Sequence, residues 1–168
     1  MNELQSTMGV VKPNSIKTVG LVIAILSILV IIGNSMGGIV FTAIGAKNVL
    51  NQANSEEIPK GLEMILFLFN HYVELCLFMI SLGACFLIGG INLRKYKLWA
   101  NRLISLASIG FICVIWGLMV AFFSVFLSAP NEIKYVSFFA IFVAIVWSTP
   151  FVFLIRYLNR KDIKVHFE

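Results

Sequence analysis

Four long apolar stretches, separated by short polar ones, set the pattern of this chain. They run Thr18–Ala46, Leu62–Ile91, Leu98–Leu127 and Tyr135–Leu158. Crossing a hydrocarbon core about 30 Å thick takes about 20 apolar residues in helical form, so each stretch suffices for one crossing and none for two. A membrane barrel would need alternating segments of about ten residues, and these runs do not alternate. In lipid every backbone N–H and C=O must be paired within the chain, which leaves helices. The pattern predicts one all-α domain over residues 1–168, a four-helix transmembrane bundle. Short connections make sequential helices antiparallel neighbours, so the expected topology is up-down-up-down.

Composition strengthens this reading. Hydrophobic residues make up 60% of the chain and charged residues 12%, with a mean hydropathy of +0.94; a soluble domain carries about 25% charged residues. Ten of the Lys and Arg residues fall in the N-terminal segment, the Arg94–Lys97 connection with Arg102, and the tail. Only Lys47, Lys60 and Lys134 fall on the other side. This bias predicts both termini in the cytoplasm of a multi-pass cell-membrane protein, with Tyr96, Trp99 and Tyr157 as an interfacial belt. The net charge of +5 is no sign of nucleic acid, because these cations flank span ends where they set topology and attract anionic lipid. The first run is too long for a signal-peptide core and is read as an uncleaved anchor.

Residues 1–17 read as a flexible or surface-lying arm, and Lys47–Gly61 as the longest loop, with Ser55 placed to cap a short helix. Gly89-Gly90 reads as a helix end before the Asn92–Lys97 turn. Cys76, Cys85 and Cys113 all lie within spans, with no C-x-x-C, and read as small packing residues. Gly33-x-x-x-Gly37, with Gly38, has the small-residue spacing that lets two helices approach, within the chain or between copies. Pro150 in Ser148-Thr149-Pro150 predicts a kink in the fourth helix, with the adjacent hydroxyls satisfying the freed carbonyls.

One residue asks for a chemical explanation. Glu74 lies within the second run, and a charge at the bilayer centre costs at least about 2.5–3.5 kcal/mol on insertion scales. His71 and Asn70 precede it by one helical turn and Ser81 follows on the same stripe. Counted inward from the predicted extracellular ends, Asn34, Glu74, Trp116 and Trp147 each lie roughly 17 Å deep. That predicts a midplane polar layer built from Asn34, Asn70, His71, Glu74, Trp116 and Trp147.

Three readings of this layer stay open. A protonated Glu74 can hydrogen-bond Asn34 or His71 and fix helix register. It can instead alternate between charged and neutral forms in a proton- or cation-coupled site, a logic shared with small multidrug transporters. His71 and Glu74 can also supply two ligands to a metal, although a closed site takes four. The only other histidine, His166, is in the tail, so bis-histidine haem ligation is not expected, and no cofactor is.

Two polar segments carry a resemblance. The turn Gly89-Gly90-Ile91-Asn92-Leu93-Arg94-Lys95-Tyr96-Lys97-Leu98-Trp99-Ala100-Asn101-Arg102 resembles a feature of small bacterial four-helix membrane proteins. In them a Gly-rich helix end and a basic turn lead into Trp-Ala-x-Arg. The ending Ile163-Lys164-Val165-His166-Phe167 is similar to their aliphatic-Lys-x-x-Phe close. The resemblance implies the four-span layout and no functional residues, because that group has no assigned activity. The expected function is a non-enzymatic membrane subunit or scaffold, packing against itself or a membrane-protein partner. The alternative is an oligomeric proton- or cation-linked transporter or channel using Glu74 and His71. No nucleophile–base pair, phosphate loop or complete metal set points to an enzyme.

Overall fold

The computed structural model describes residues 13–45, 63–127 and 134–167. The loop over 47–61, Ser55 and the arm over 1–12 lie outside the described residues. Among the described residues six helices are seen, α1 Asn14–Ala43, α2 Glu63–Asn70, α3 Tyr72–Leu93, α4 Leu98–Leu127, α5 Lys134–Leu158 and α6 Lys161–Lys164. Among the described residues there is no strand. Four of the helices (α1, α3, α4 and α5) are long and apolar enough to cross a membrane. α1 packs along α3, α5 along α4, and α3 against α4 joins the two pairs.

The second run differs from its expected form, because one residue, His71, interrupts it between α2 and α3 (φ −105°, ψ 22°). The hydrogen-bond ladder continues across the interruption, since the His71 amide donates to the Phe67 carbonyl and the Leu75 amide to that of His71. Gly89 and Gly90 do not end α3, which runs on to Leu93. Their absent side chains are instead what lets helices meet. A Cβ on Gly90 would lie 2.8 Å from the Gly20 carbonyl oxygen, and one on Gly20 would lie 2.7 Å from that of Gly90. Backbone therefore touches backbone where α1 crosses α3. Gly89 receives Ile104 of α4 in the same way, at 2.6 Å from a built Cβ.

The core lies at one end of the molecule. Ile16, Leu93, Tyr96, Ala100, Ile104, Leu158, Ile163 and Phe167 form a buried cluster where α1 and α4 begin and α3 and α5 end. Ile16 is wholly buried, so the chain from Asn14 onward belongs to α1 and its core rather than to an arm. The tail turns back through α6 to bring Ile163 and Phe167 into this cluster. Tyr96 is a core residue, 5% exposed, whereas Trp99 remains 45% exposed as an interfacial ring would be. Tyr96 takes φ 57° in the tight turn from α3 to α4, a left-handed conformation that side chains with a Cβ seldom adopt, and its hydroxyl donates to the Pro13 carbonyl at 3.2 Å.

Two further polar bonds join helices here, Asn101 Nδ2 to the Leu158 carbonyl at 3.1 Å and the Tyr157 hydroxyl to Ser15 Oγ at 3.0 Å. Asn101 is 3% exposed, and its Oδ1 is buried without a donor. Asn101→Asp would replace the donating nitrogen with an oxygen facing the Leu158 carbonyl. Leaving a buried polar group unpaired costs about 1–3 kcal/mol, more for a charge. Asn101→Asp is therefore expected to lower the melting temperature in detergent further than Asn101→Ala does, and equal melting of the two variants would contradict this.

In α5 the helix continues through Pro150. The carbonyl that proline leaves without a partner belongs to Val146, four residues back. Ser148 and Thr149 do not fill it, because both donate to the Ile145 carbonyl, at 3.2 and 2.6 Å.

Candidate functional site

Polar side chains inside an apolar helix have two ways to avoid naked burial: each other, or a carbonyl of their own helix. Here the second dominates. Ser27 donates to Ile23, Thr42 to Gly38, Ser81 to Leu77 and Ser108 to Ile104, in each case the carbonyl four residues back. Asn34 does the same, its Nδ2 reaching the Val30 carbonyl at 2.8 Å.

His71 is likewise engaged locally. Its Nδ1 lies 3.0 Å from the Phe67 carbonyl; since a carbonyl only accepts, Nδ1 is the donor of this bond. The imidazole also stacks on the Phe67 ring, with centroids 4.4 Å apart. Asn70 Oδ1 is buried with no hydrogen-bond partner. Glu74 is exposed and makes no hydrogen bond or ion pair among the described residues. Trp116 is 40% and Trp147 65% exposed, each on an outward face. No hydrogen bond links any two of Asn34, Asn70, His71, Glu74, Trp116 and Trp147 among the described residues.

Depth separates these residues too. The packed end gives all helices a common origin, because Ile16, Leu93, Ala100 and Leu158 meet in one cluster. At 1.5 Å per residue, Asn34 then lies roughly 27 Å along α1 and Glu74 roughly 28 Å along α3. Trp116 lies roughly 24 Å along α4 and Trp147 only about 16 Å along α5. Asn34, Glu74 and Trp116 share a level within one turn, and Trp147 lies about two turns closer to the packed end. Glu74 therefore lies nearly as far from the packed end as a hydrocarbon core is thick, about 30 Å.

The glycine motif divides in the same manner. A Cβ on Gly37 would meet the Tyr72 hydroxyl at 2.9 Å and one on Gly38 would meet Cys76 Cβ at 3.6 Å, so both face α3. A Cβ on Gly33 would have nothing within 4 Å among the described residues. Tyr72 completes that contact, its ring 4.7 Å from that of Phe41. Cys76 is buried between α1 and α3, Cys85 is half-buried and Cys113 exposed, all as free thiols.

Two features carry no sequence reading of their own. An apolar cleft of about 340 Å³ separates α1 from α5, walled by Val19, Ile23, Phe86, Phe111 and Phe151. A second cleft, of about 410 Å³, lies at the packed end and mixes cations with apolar side chains, among them Arg102, Lys164 and Leu106. Arg102 and Lys164 are far apart in sequence, and only the fold back of α6 joins them. Among the described residues no three His, Cys, Asp or Glu side chains cluster as a metal site would require. Compared with protein-family models, with curated proteins and with solved structures, the chain matches none of them.

Proposed function

We propose that this chain is a non-enzymatic subunit or scaffold of the cell membrane, up-down-up-down with both termini in the cytoplasm. It packs through the far half of α1, α2 and α3 against a second copy or another membrane protein. One observation carries the reading: the Glu74 carboxylate is exposed and meets no hydrogen-bond or ion-pair partner among the described residues. It shares an outward face with Phe67, Leu77 and Phe78, each about half exposed or more. Gly33, open on the same half of α1, offers a surface for close backbone approach.

Cysteine placed at Val73 or Leu77 is expected to cross-link in native membranes, to a second copy or to one other protein of constant mass. Absence of both adducts would overturn the reading. The Glu74→Gln variant is expected to insert and melt like the parent while losing most of that cross-link.

A second reading, proton- or cation-linked transport, draws support from the helix interruption at His71 beside Asn70 and Glu74, since interrupted helices recur at ion sites. Purified protein in liposomes distinguishes the two. A subunit moves no protons or cations, whereas a transporter does so and loses flux with Glu74→Gln while remaining folded.

A further inference from the structure

The cleft at the packed end has the layout of a phospholipid site. Arg102 and Ser105 on α4 form one wall with Asn101, and Asn159 and Lys164 form the other. Leu106 and Ile109 continue the wall one and two turns deeper along α4, and they are 68% and 50% exposed. Charge at one end and hydrocarbon at the other is the gradient of a lipid lying along a helix.

The two cations are unspent. Arg160, on the same end of the molecule, is paired with Asp162 through two hydrogen bonds of 3.1 and 2.9 Å. The side chains of Arg102 and Lys164 make no ion pair or hydrogen bond among the described residues, although they share one cleft with no acidic side chain in its lining. Two neighbouring cations with no counter-charge repel, and an anion between them removes that repulsion. At about 410 Å³ the space is larger than a phosphate and leaves room for the upper part of an acyl chain.

We propose that this cleft binds an anionic glycerophospholipid of the adjacent leaflet, its phosphodiester between Arg102 and Lys164 and one acyl chain along Leu106 and Ile109. Ser105 supplies a hydroxyl donor one turn deeper than Asn101. The bound lipid thereby ties α4 to the tail. Phosphatidylglycerol fits this chemistry. Phosphatidylcholine carries the same phosphate, but its quaternary ammonium would be pressed against both cations.

The test uses the full-length protein in mild detergent, doped with either lipid and examined by native mass spectrometry. The parent is expected to retain one phosphatidylglycerol in preference to phosphatidylcholine. Each neutralisation, Arg102→Gln or Lys164→Gln, is expected to weaken retention about fivefold and the pair roughly 25-fold, as follows from the worth of one basic residue at an anionic surface. Arg160→Gln, which is outside the cleft, should leave retention unchanged. Equal retention of both lipids, or equal loss with Arg160→Gln, would overturn the proposal.

A second measurement needs no variant. Phosphatidylglycerol with a photoreactive acyl chain should label residues 98–109 of the parent, and labelling confined to other helices would overturn the site. Inorganic phosphate or glycerophosphate that displaced the lipid at equal concentration would show a phosphate site in which Leu106 and Ile109 have no part, which also overturns it.

Discussion

Gly90→Ala and Gly20→Ala are each expected to destabilise this protein strongly. The new Cβ at residue 90 would lie 2.8 Å from the Gly20 oxygen and 3.1 Å from the Ala24 amide nitrogen. Both are backbone atoms, so no rotamer change relieves the contact and α1 must move away from α3. Overpacking of this kind costs about 1–3 kcal/mol, and the displaced helix takes Ile16 and Ile23 out of the core with it. Gly33→Ala is the control, because nothing lies within 4 Å of its built Cβ. Unfolding by a denaturing detergent should shift strongly for residues 20 and 90 and stay within error for residue 33. The double variant G20A/G90A should fall short of the sum of its parts, since one separation relieves both clashes. Matching curves for residues 33 and 90 would contradict the crossing described above.

Phe167→Ala is expected to free the tail. The ring is 8% exposed and Ile163 7%, in a cluster with Leu158, Tyr96 and Ala100. Truncating a buried aromatic ring costs about 3–5 kcal/mol in a closed core, and the lower figure applies here, next to head groups. The tail lacks the stability of a long helix, since α6 has four residues. The loss should therefore show first as local release, with cleavage after Lys161 or Lys164 by trypsin in membranes opened on that side. Val165→Ala, at a position 74% exposed, should leave cleavage slow. A parent tail cut as fast as the Phe167→Ala tail would show that the docking seen here is not maintained in the bilayer.

Hydropathy made the four spans legible, because about 20 apolar residues in a row have few other uses. The borders of α4 and α5 follow the polar punctuation to within a residue. Gly89 and Gly90 were harder, since a glycine pair before a basic turn has the same appearance whether it ends a helix or receives one. Only the partner, Gly20 about 70 positions earlier, decides it, and nothing in spacing joins the two. Asn34, His71 and Glu74 posed a similar ambiguity. The interval of three or four residues that would let polar side chains meet is also the interval to a backbone carbonyl of the same helix. In Asn34 and His71 the carbonyl takes the bond. Trp147 was placed with them by counting from the far ends, whereas the helices share their origin at the opposite end. Ile163 and Phe167, set among charged residues, carry no periodicity that announces their place in the core. The two polar strings on which the expected resemblance rested, the turn with Tyr96 and Ala100 and the close with Ile163 and Phe167, pack against each other.

The tail's place in the core has a consequence for biosynthesis. Ile163 and Phe167 follow the four long apolar helices in sequence, so they leave the ribosome after those helices do. Until then the nascent bundle lacks the wedge that seats Leu158 and Ala100 together. Helix formation and closure of this core are thus separable steps, and quality-control proteases acting between them would meet Ile163 and Phe167 still unsheltered.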